Sequence, residues 1–169
     1  SSLAVHLAGV AWVDIQKKIK NLPQISFRQE TVFDGSARLT TRNRKLKIIN
    51  DTTATSPDGG MAAIEIFASP STILITGGTD RQLEYGKWAK TVLKNVKKEN
   101  LILLSGSATQ KMLALLNCGQ VFESLEECLR VALLRASQYP KSVILFSPAA
   151  KSFEKFKNEY DRGGQFNSL

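Results

Sequence analysis

The stretch Leu46-Lys47-Ile48-Ile49-Asn50-Asp51-Thr52-Thr53-Ala54-Thr55-Ser56-Pro57-Asp58 sets the architecture. It begins as a short run ending in two isoleucines, the composition of a buried strand. A polar loop follows, and then a helix start. Ser56 suits the N-cap, Pro57 suits the first helical position because its missing N–H would be unbonded there anyway, and Asp58 sits beside the positive helix end. Strand, polar loop and capped helix together make half of a βαβ unit.

The same alternation continues downstream. The helix is expected to run to about Ala68, with a strand over Thr72 to Thr76 ending at Gly77-Gly78. A helix from about Gln82 to Val96 and a strand from Leu101 to Leu104 come next. Ser107 can cap a helix carrying Met112, Leu115 and Leu116, and Leu125, Cys128, Leu129, Ala132 and Leu133 mark one face of another. Val143 to Phe146 is the last strand. Phe153, Phe156 and Tyr160 are expected on one face of a final helix capped by Ser152. Upstream, Leu3, Leu7, Ile15, Ile19 and Leu22 suggest two short helices stopped by Pro23. Phe27 to Phe33 reads as a strand with a turn at Asp34-Gly35, and residues 37–49 as one or two strands. The fold class is α/β: a Rossmann-like, mostly parallel sheet with helices on both faces.

Ligands of such sheets bind beyond the carboxyl ends of the strands. Three polar loops fall there. The first, Asn50 to Ser56, offers a carboxylate, hydroxyls and helix N–H groups. The same residues satisfy a cap and an Asx turn, so both readings stand. In the second, Gly77 to Arg81, the guanidinium of Arg81 could clamp a carboxylate or remain solvated. The third, Ser147 to Phe153, puts Ser152 at an expected helix start, where a hydroxyl and free N–H groups could hold a carboxylate. Ser152 and Lys155 also fit an S-x-x-K pattern, but the companion motifs of serine acyl-enzymes are missing.

Composition narrows the classes. Lys plus Arg number 23 against 15 Asp plus Glu, a net charge of +8 that favours anionic partners. Cys118 and Cys128 make no disulfide framework, and with a lone His6 no metal motif forms, which points to a reduced, cytoplasmic setting. No apolar run reaches the roughly 20 residues of a membrane span. Residues 1–13 lack the basic start of a signal peptide and read as a helix cut from something larger. No nucleic-acid signature accompanies the charge.

The loop order resembles the C-terminal domain of the Mur ligases, the D-glutamate-adding branch most closely. The resemblance rests on Phe27-Arg28, on Ile49 to Thr55, on Ile75-Thr76-Gly77-Gly78 and above all on the run from Ser147 to Phe166. It implies an ATP-dependent ligase of peptidoglycan synthesis. That enzyme joins D-glutamate to UDP-N-acetylmuramoyl-L-alanine through an acyl phosphate, with Mg2+ assisting. Residues 1–26 would be closing helices of the central ATPase domain or a linker, and 27–169 the amino-acid-binding domain. Arg28 and Asp51 would meet ATP; Thr55, Arg81, Ser152 and Phe153 would hold D-glutamate. No catalytic residue and no metal ligand is implied for this chain. The chain alone is expected to be inactive without the central and UDP-binding domains, and to be monomeric, with no nucleic-acid or membrane partner. Phe27, Thr53, Arg81 and Glu159 stand where the family often has His, Lys, Lys and an aromatic. Another Mur ligase, a folylpolyglutamate synthase, a basic nucleotide- or nucleic-acid-binding module and a ligand-free domain are the alternatives.

Overall fold

The computed structural model describes residues 2–20, 23–35 and 45–169. Helices α1 (Ser2–Leu7) and α2 (Trp12–Lys20) come first. Strands β1 (Glu30–Asp34) and β2 (Lys45–Asn50) precede α3 (Pro57–Phe67), β3 (Thr72–Thr76), α4 (Gly86–Asn95) and β4 (Leu101–Leu104). The chain continues through α5 (Ser107–Leu116), β5 (Gln120–Phe122), α6 (Leu125–Ala136), β6 (Lys141–Phe146) and α7 (Glu159–Ser168). The sheet order is β1-β2-β6-β3-β4-β5. Only β1 runs antiparallel to its neighbour. The expected α/β class and mostly parallel sheet are therefore present.

Both faces of the sheet are covered, which is why β3 and β4 are apolar at nearly every position rather than alternating. On one face Leu74, Leu101, Leu103 and Leu145 pack with Ala63 and Ile64 of α3, Trp88 and Val92 of α4, and Met112 of α5. On the other, Ile73, Ile75, Ile102, Ile144 and Phe146 pack with Leu125, Cys128 and Ala132 of α6 and Phe166 of α7. Burial pushes the Cys128 thiol up to about 12, so it is an inert core residue. No helix among the described residues is long and apolar enough to cross a membrane.

Several boundaries depart from the expectations. Helix α4 starts at Gly86, not near Gln82. The Asp80 side chain accepts a hydrogen bond from Gln82 N–H, and Gln82 lies at φ 59°, outside helical space. Ser107 is the first residue of α5, with Gly106 at the cap, and makes no capping bond. Leu115 and Leu133 are largely exposed, because the buried stripes pass through Met112 and Leu116, and through Leu129, Ala132 and Ala136. The expected strand at Phe27 begins only at Glu30, since Phe27 and Gln29 both have positive φ. Edge strand β5, three residues long, was not expected. Leu22 and residues 37–44 of the expected upstream strands lie outside the described residues; Lys45–Asn50 is the strand that is described.

The largest correction concerns the final helix. Ser152 does not cap it. The carbonyl of Ser152 accepts from the N–H groups of Lys155 and Phe156, closing a single turn, and the chain then opens again. Asn158 is the cap: its Oδ1 accepts from Asp161 N–H at 2.8 Å, and Asp161 Oδ2 accepts from Lys157 N–H at 3.0 Å. Local side-chain bonding thus moves the helix start downstream. Phe153 and Phe156 lie in the preceding loop, and Phe153 and Tyr160 are exposed.

Helix α6 has a full capping box, in which Ser124 Oγ and the Glu127 carboxylate exchange bonds with each other's backbone N–H. Ser124→Ala and Asn158→Ala should each lower stability by about 1 kcal/mol in urea unfolding.

Candidate functional site

Strands β2, β6 and β3 are adjacent and parallel, so their carboxyl ends lie side by side. The loops that leave them, 51–56, 147–158 and 77–85, share one rim. They are tied to one another. Thr76 Oγ1 and Gly77 N–H both donate to the Pro148 carbonyl at 3.0 Å. Thr79 and Lys151 exchange two backbone bonds, Thr79 N–H to Lys151 O at 2.8 Å and the reverse at 3.1 Å. Gly78 permits this approach: a Cβ there would stand 2.4 Å from the Lys151 carbonyl oxygen, and its φ is 139°.

Asp51 is 3% exposed and begins the first loop. Its Oδ2 accepts from Ser147 Oγ at 2.9 Å, and its Oδ1 from Gln29 N–H at 3.1 Å. The second bond anchors the turn before β1. Thr53 adds two more anchors, donating its N–H (3.1 Å) and its hydroxyl (3.0 Å) to the Phe27 carbonyl. Arg28, between these fixed points, is exposed. Burial raises the Asp51 pKa, and the bonds from Ser147 and Gln29 and the charge of Arg28 act against that rise. Arg28 and Asp51, far apart in sequence, therefore meet at this rim.

The other expected residues are less gathered. Thr55 is half-buried just before the Ser56 cap, whose hydroxyl accepts from Gly59 N–H. Arg81 is exposed and makes no ion pair among the described residues. Its neighbour Asp80 pairs with Lys111 at 2.6 Å, which holds the Asp80 carboxyl below the ordinary range. Ser56 and Leu83 line a groove of about 450 Å3 with Pro57, Met61 and Lys87. Ser152 lines a different gap, too tight for a water molecule, with Gly78, Thr79, Glu154, Phe156 and Arg162; Thr55 and Arg81 do not line it. Phe153 is exposed, with Lys151 Nζ 5.7 Å from the centre of its ring.

Ser152 is 2% exposed, and its Oγ has no hydrogen-bond partner. A buried hydroxyl without a partner carries a desolvation cost of about 1–3 kcal/mol, which a ligand could relieve. Lys155 is not its base: the ammonium bonds the Glu123 carbonyl at 2.7 Å and the Glu123 carboxylate at 2.8 Å. The S-x-x-K arrangement therefore has no geometric basis here. Glu154 reaches across instead, its carboxylate accepting from Ser107 N–H at 3.0 Å at the start of α5. Among the described residues no group of three His, Cys, Asp or Glu could hold a metal ion.

Two residues of the rim lie in the motifs read from sequence but were given no role there. Asn50 Nδ2 donates to the Gly163 carbonyl at 3.0 Å and Asn167 Oδ1 at 2.6 Å, and its Oδ1 accepts from Thr52 N–H. Arg162, fully buried on α7, donates to Thr52, Ala150 and Lys151. The adjacent Gly163 was the available signal. A Cβ there would stand 2.5 Å from Thr52 Cγ2 and 2.6 Å from Phe27 Cδ1, so only glycine lets α7 lie against the first loop.

Several relatives by sequence share one name. The UDP-N-acetylmuramoylalanine--D-glutamate ligase of Treponema pallidum is 42% identical over 128 residues, 73% of this chain and 23% of that protein. The enzyme of the same name from Roseiflexus sp. is 32% identical over 171 residues, 95% of this chain and 33% of that protein. The one from Prochlorococcus marinus is 30% identical over 172 residues, 98% and 34% respectively. No family model matches. Among solved structures, the UDP-N-acetylmuramoylalanyl-D-glutamyl-2,6-diaminopimelate--D-alanyl-D-alanyl ligase from Acinetobacter baumannii has a TM-score of 0.57 at 11% identity. That match covers 95% of this chain and 32% of that one, and it shows the fold. The chain spans about a third or less of the length of these relatives.

The buried Asp51 gives the site a pH signature. Burial lifts its folded pKa above the ordinary carboxylate range, so the native state binds the proton more tightly than the unfolded chain. Its ionised form therefore costs stability at neutral pH, and the cost is relieved as pH falls through the folded pKa. Asp51→Asn, measured by urea unfolding at a series of pH values, should remove this contribution and leave stability at neutral pH unchanged or higher.

Proposed function

Because the chain belongs to the Mur ligase family and has the fold of its C-terminal domain, we propose that it is the amino-acid-binding part of an ATP-dependent ligase joining D-glutamate to UDP-N-acetylmuramoyl-L-alanine. In that reaction a carboxylate is activated as an acyl phosphate. The amine of D-glutamate attacks the acyl carbon, an amide forms and phosphate leaves. The enzyme serves cytoplasmic peptidoglycan synthesis and acts as a monomer.

The observation that carries the D-glutamate assignment is the unpartnered, buried Ser152 hydroxyl at the rim, beside a gap too tight for a water molecule that must open to admit the ligand. One carboxylate of the amino acid bonds there, with Phe153 beside it. The other is taken by Thr55 and the free guanidinium of Arg81. Two anchoring regions on one rim suit a ligand with two carboxylates. Arg28, presented by the turn that Asp51 and Thr53 hold, faces the phosphates of ATP, and Asp51 the ribose. The net charge of +8 favours these anions. The work of this chain is then positioning and charge stabilisation.

Residues 1–26 are, on this reading, closing helices of a central ATPase domain. Leu7, Trp12, Val13 and Ile19 are exposed along them, the kind of apolar surface a neighbouring domain covers. Magnesium enters the reaction through parts of the ligase other than this chain, and the isolated chain does not catalyse ligation.

Titration with D-glutamate, followed by amide chemical shifts, tests the reading. Saturable shifts should appear in all three loops. Arg81→Ala and Ser152→Ala should each weaken binding about 10- to 100-fold, the size of a charge-assisted bond. Absence of saturable shifts, together with salt-dependent binding of a polynucleotide, would overturn it in favour of a nucleic-acid-binding module.

A further inference from the structure

Arg162 is completely buried, yet no carboxylate pairs with it among the described residues. Its guanidinium is instead enclosed by oxygens of two rim loops. Nε donates to Thr52 Oγ1 at 2.9 Å, and Nη2 to the Thr52 carbonyl at 2.8 Å and the Ala150 carbonyl at 3.1 Å. Nη1 donates to the carbonyls of Ala150 and Lys151, both at 3.1 Å. The loop after β3 closes on the same group, since a Cβ on Gly78 would lie 3.3 Å from Nη1. Burial draws its pKa down to about 10, so the group keeps its charge at neutral pH.

Two features of this arrangement point to a ligand. The carbonyls of Ala150 and Lys151 immediately precede Ser152, so the fork that holds them also fixes where the unpartnered hydroxyl stands. Ser152 and Arg162 line the same gap. Glu159 acts on the Arg162 charge without forming an ion pair with it, so the guanidinium beneath the gap is only partly offset. Stability alone does not call for such a charge, because a buried ion can often be replaced by apolar packing without loss.

We propose that Arg162 is the positioning residue of the Ser152 site: it sets the Ser152 hydroxyl in register with the loops after β2 and β3 and acts on a bound carboxylate without touching it. This rests on the D-glutamate reading above. It adds a residue outside the ligand's contact set on which affinity depends.

The test is D-glutamate titration of the isotope-labelled chain, read at the amides of Thr52, Gly78, Lys151 and Ser152, with the urea midpoint measured in parallel. Arg162→Lys keeps the charge and loses the planar fork. It should weaken binding by the folded molecules about tenfold, the penalty of mispositioned groups. Thr52→Val removes one acceptor and should weaken it about threefold. A merely structural tie would lower the urea midpoint and leave the dissociation constant of the folded molecules unchanged. That result in both variants overturns the proposal, as does an unchanged constant in Thr52→Val if Arg162→Lys does not fold. Wild-type protein that shows no saturable shift refutes the D-glutamate reading itself and removes the basis of this one. Wild-type binding with unaltered variants refutes only the role of Arg162.

Discussion

A guanidinium shut away from water must find an oxygen for each N–H, or it costs several kcal/mol. In this protein those oxygens come from the loops after β2 and β6, and the cation comes from the last helix. Neither loop can move away alone without stranding a charge. The loop after β3 is held to the loop after β6 by the Thr79–Lys151 bridge. The rim thus behaves as one body although its parts lie about a hundred residues apart. Rigid placement of this kind is what a binding constellation on loops requires, since loops are otherwise the most mobile parts of a fold.

Electrostatics and packing divide the labour. The two apolar layers hold helices on both faces and leave the strand ends level. Polar bonding then shapes what lies above them. Asp51 illustrates the division: its carboxylate is desolvated by the sheet beneath, yet each oxygen is bonded, one to the β6 loop and one to the turn before β1. A side chain that looks from sequence like a ligand contact is also the joint that presents Arg28.

Much of the architecture was legible because its signals are local. Thr72–Thr76 and Leu101–Leu104 are unbroken apolar runs, and Ser56-Pro57-Asp58 punctuates a helix start in the usual way. The failures have a common cause in contacts that no local window contains. Phe27 lies at positive φ because Thr53 and Asp51 hold its turn from more than twenty residues away. Ser152 reads as a cap, but Asn158 Oδ1 accepts from Asp161 N–H and the Asp161 carboxylate from Lys157 N–H, which moves the helix start. Strand β5 is too short to stand out, and its partner β4 supplies its definition. Arg162 looks like an ordinary charged position on an exposed face until the fold wraps carbonyls around it. The loops were placed correctly on one sheet edge; how they share crevices was not legible, because that depends on side-chain packing across the rim.

The position of β6 has a consequence for how the chain is made. Among the described strands it is the last in sequence and one of the two central ones in space, between β2 and β3. Until residues 141–146 leave the ribosome, both neighbours present an unpaired edge, and the arginine that locks the rim comes later still. Early segments can form helices and the β3–β4 pair, but the sheet cannot close on a partial chain. Open strand edges invite pairing with the wrong partner, so this part of the nascent protein is exposed to misassembly until that strand emerges.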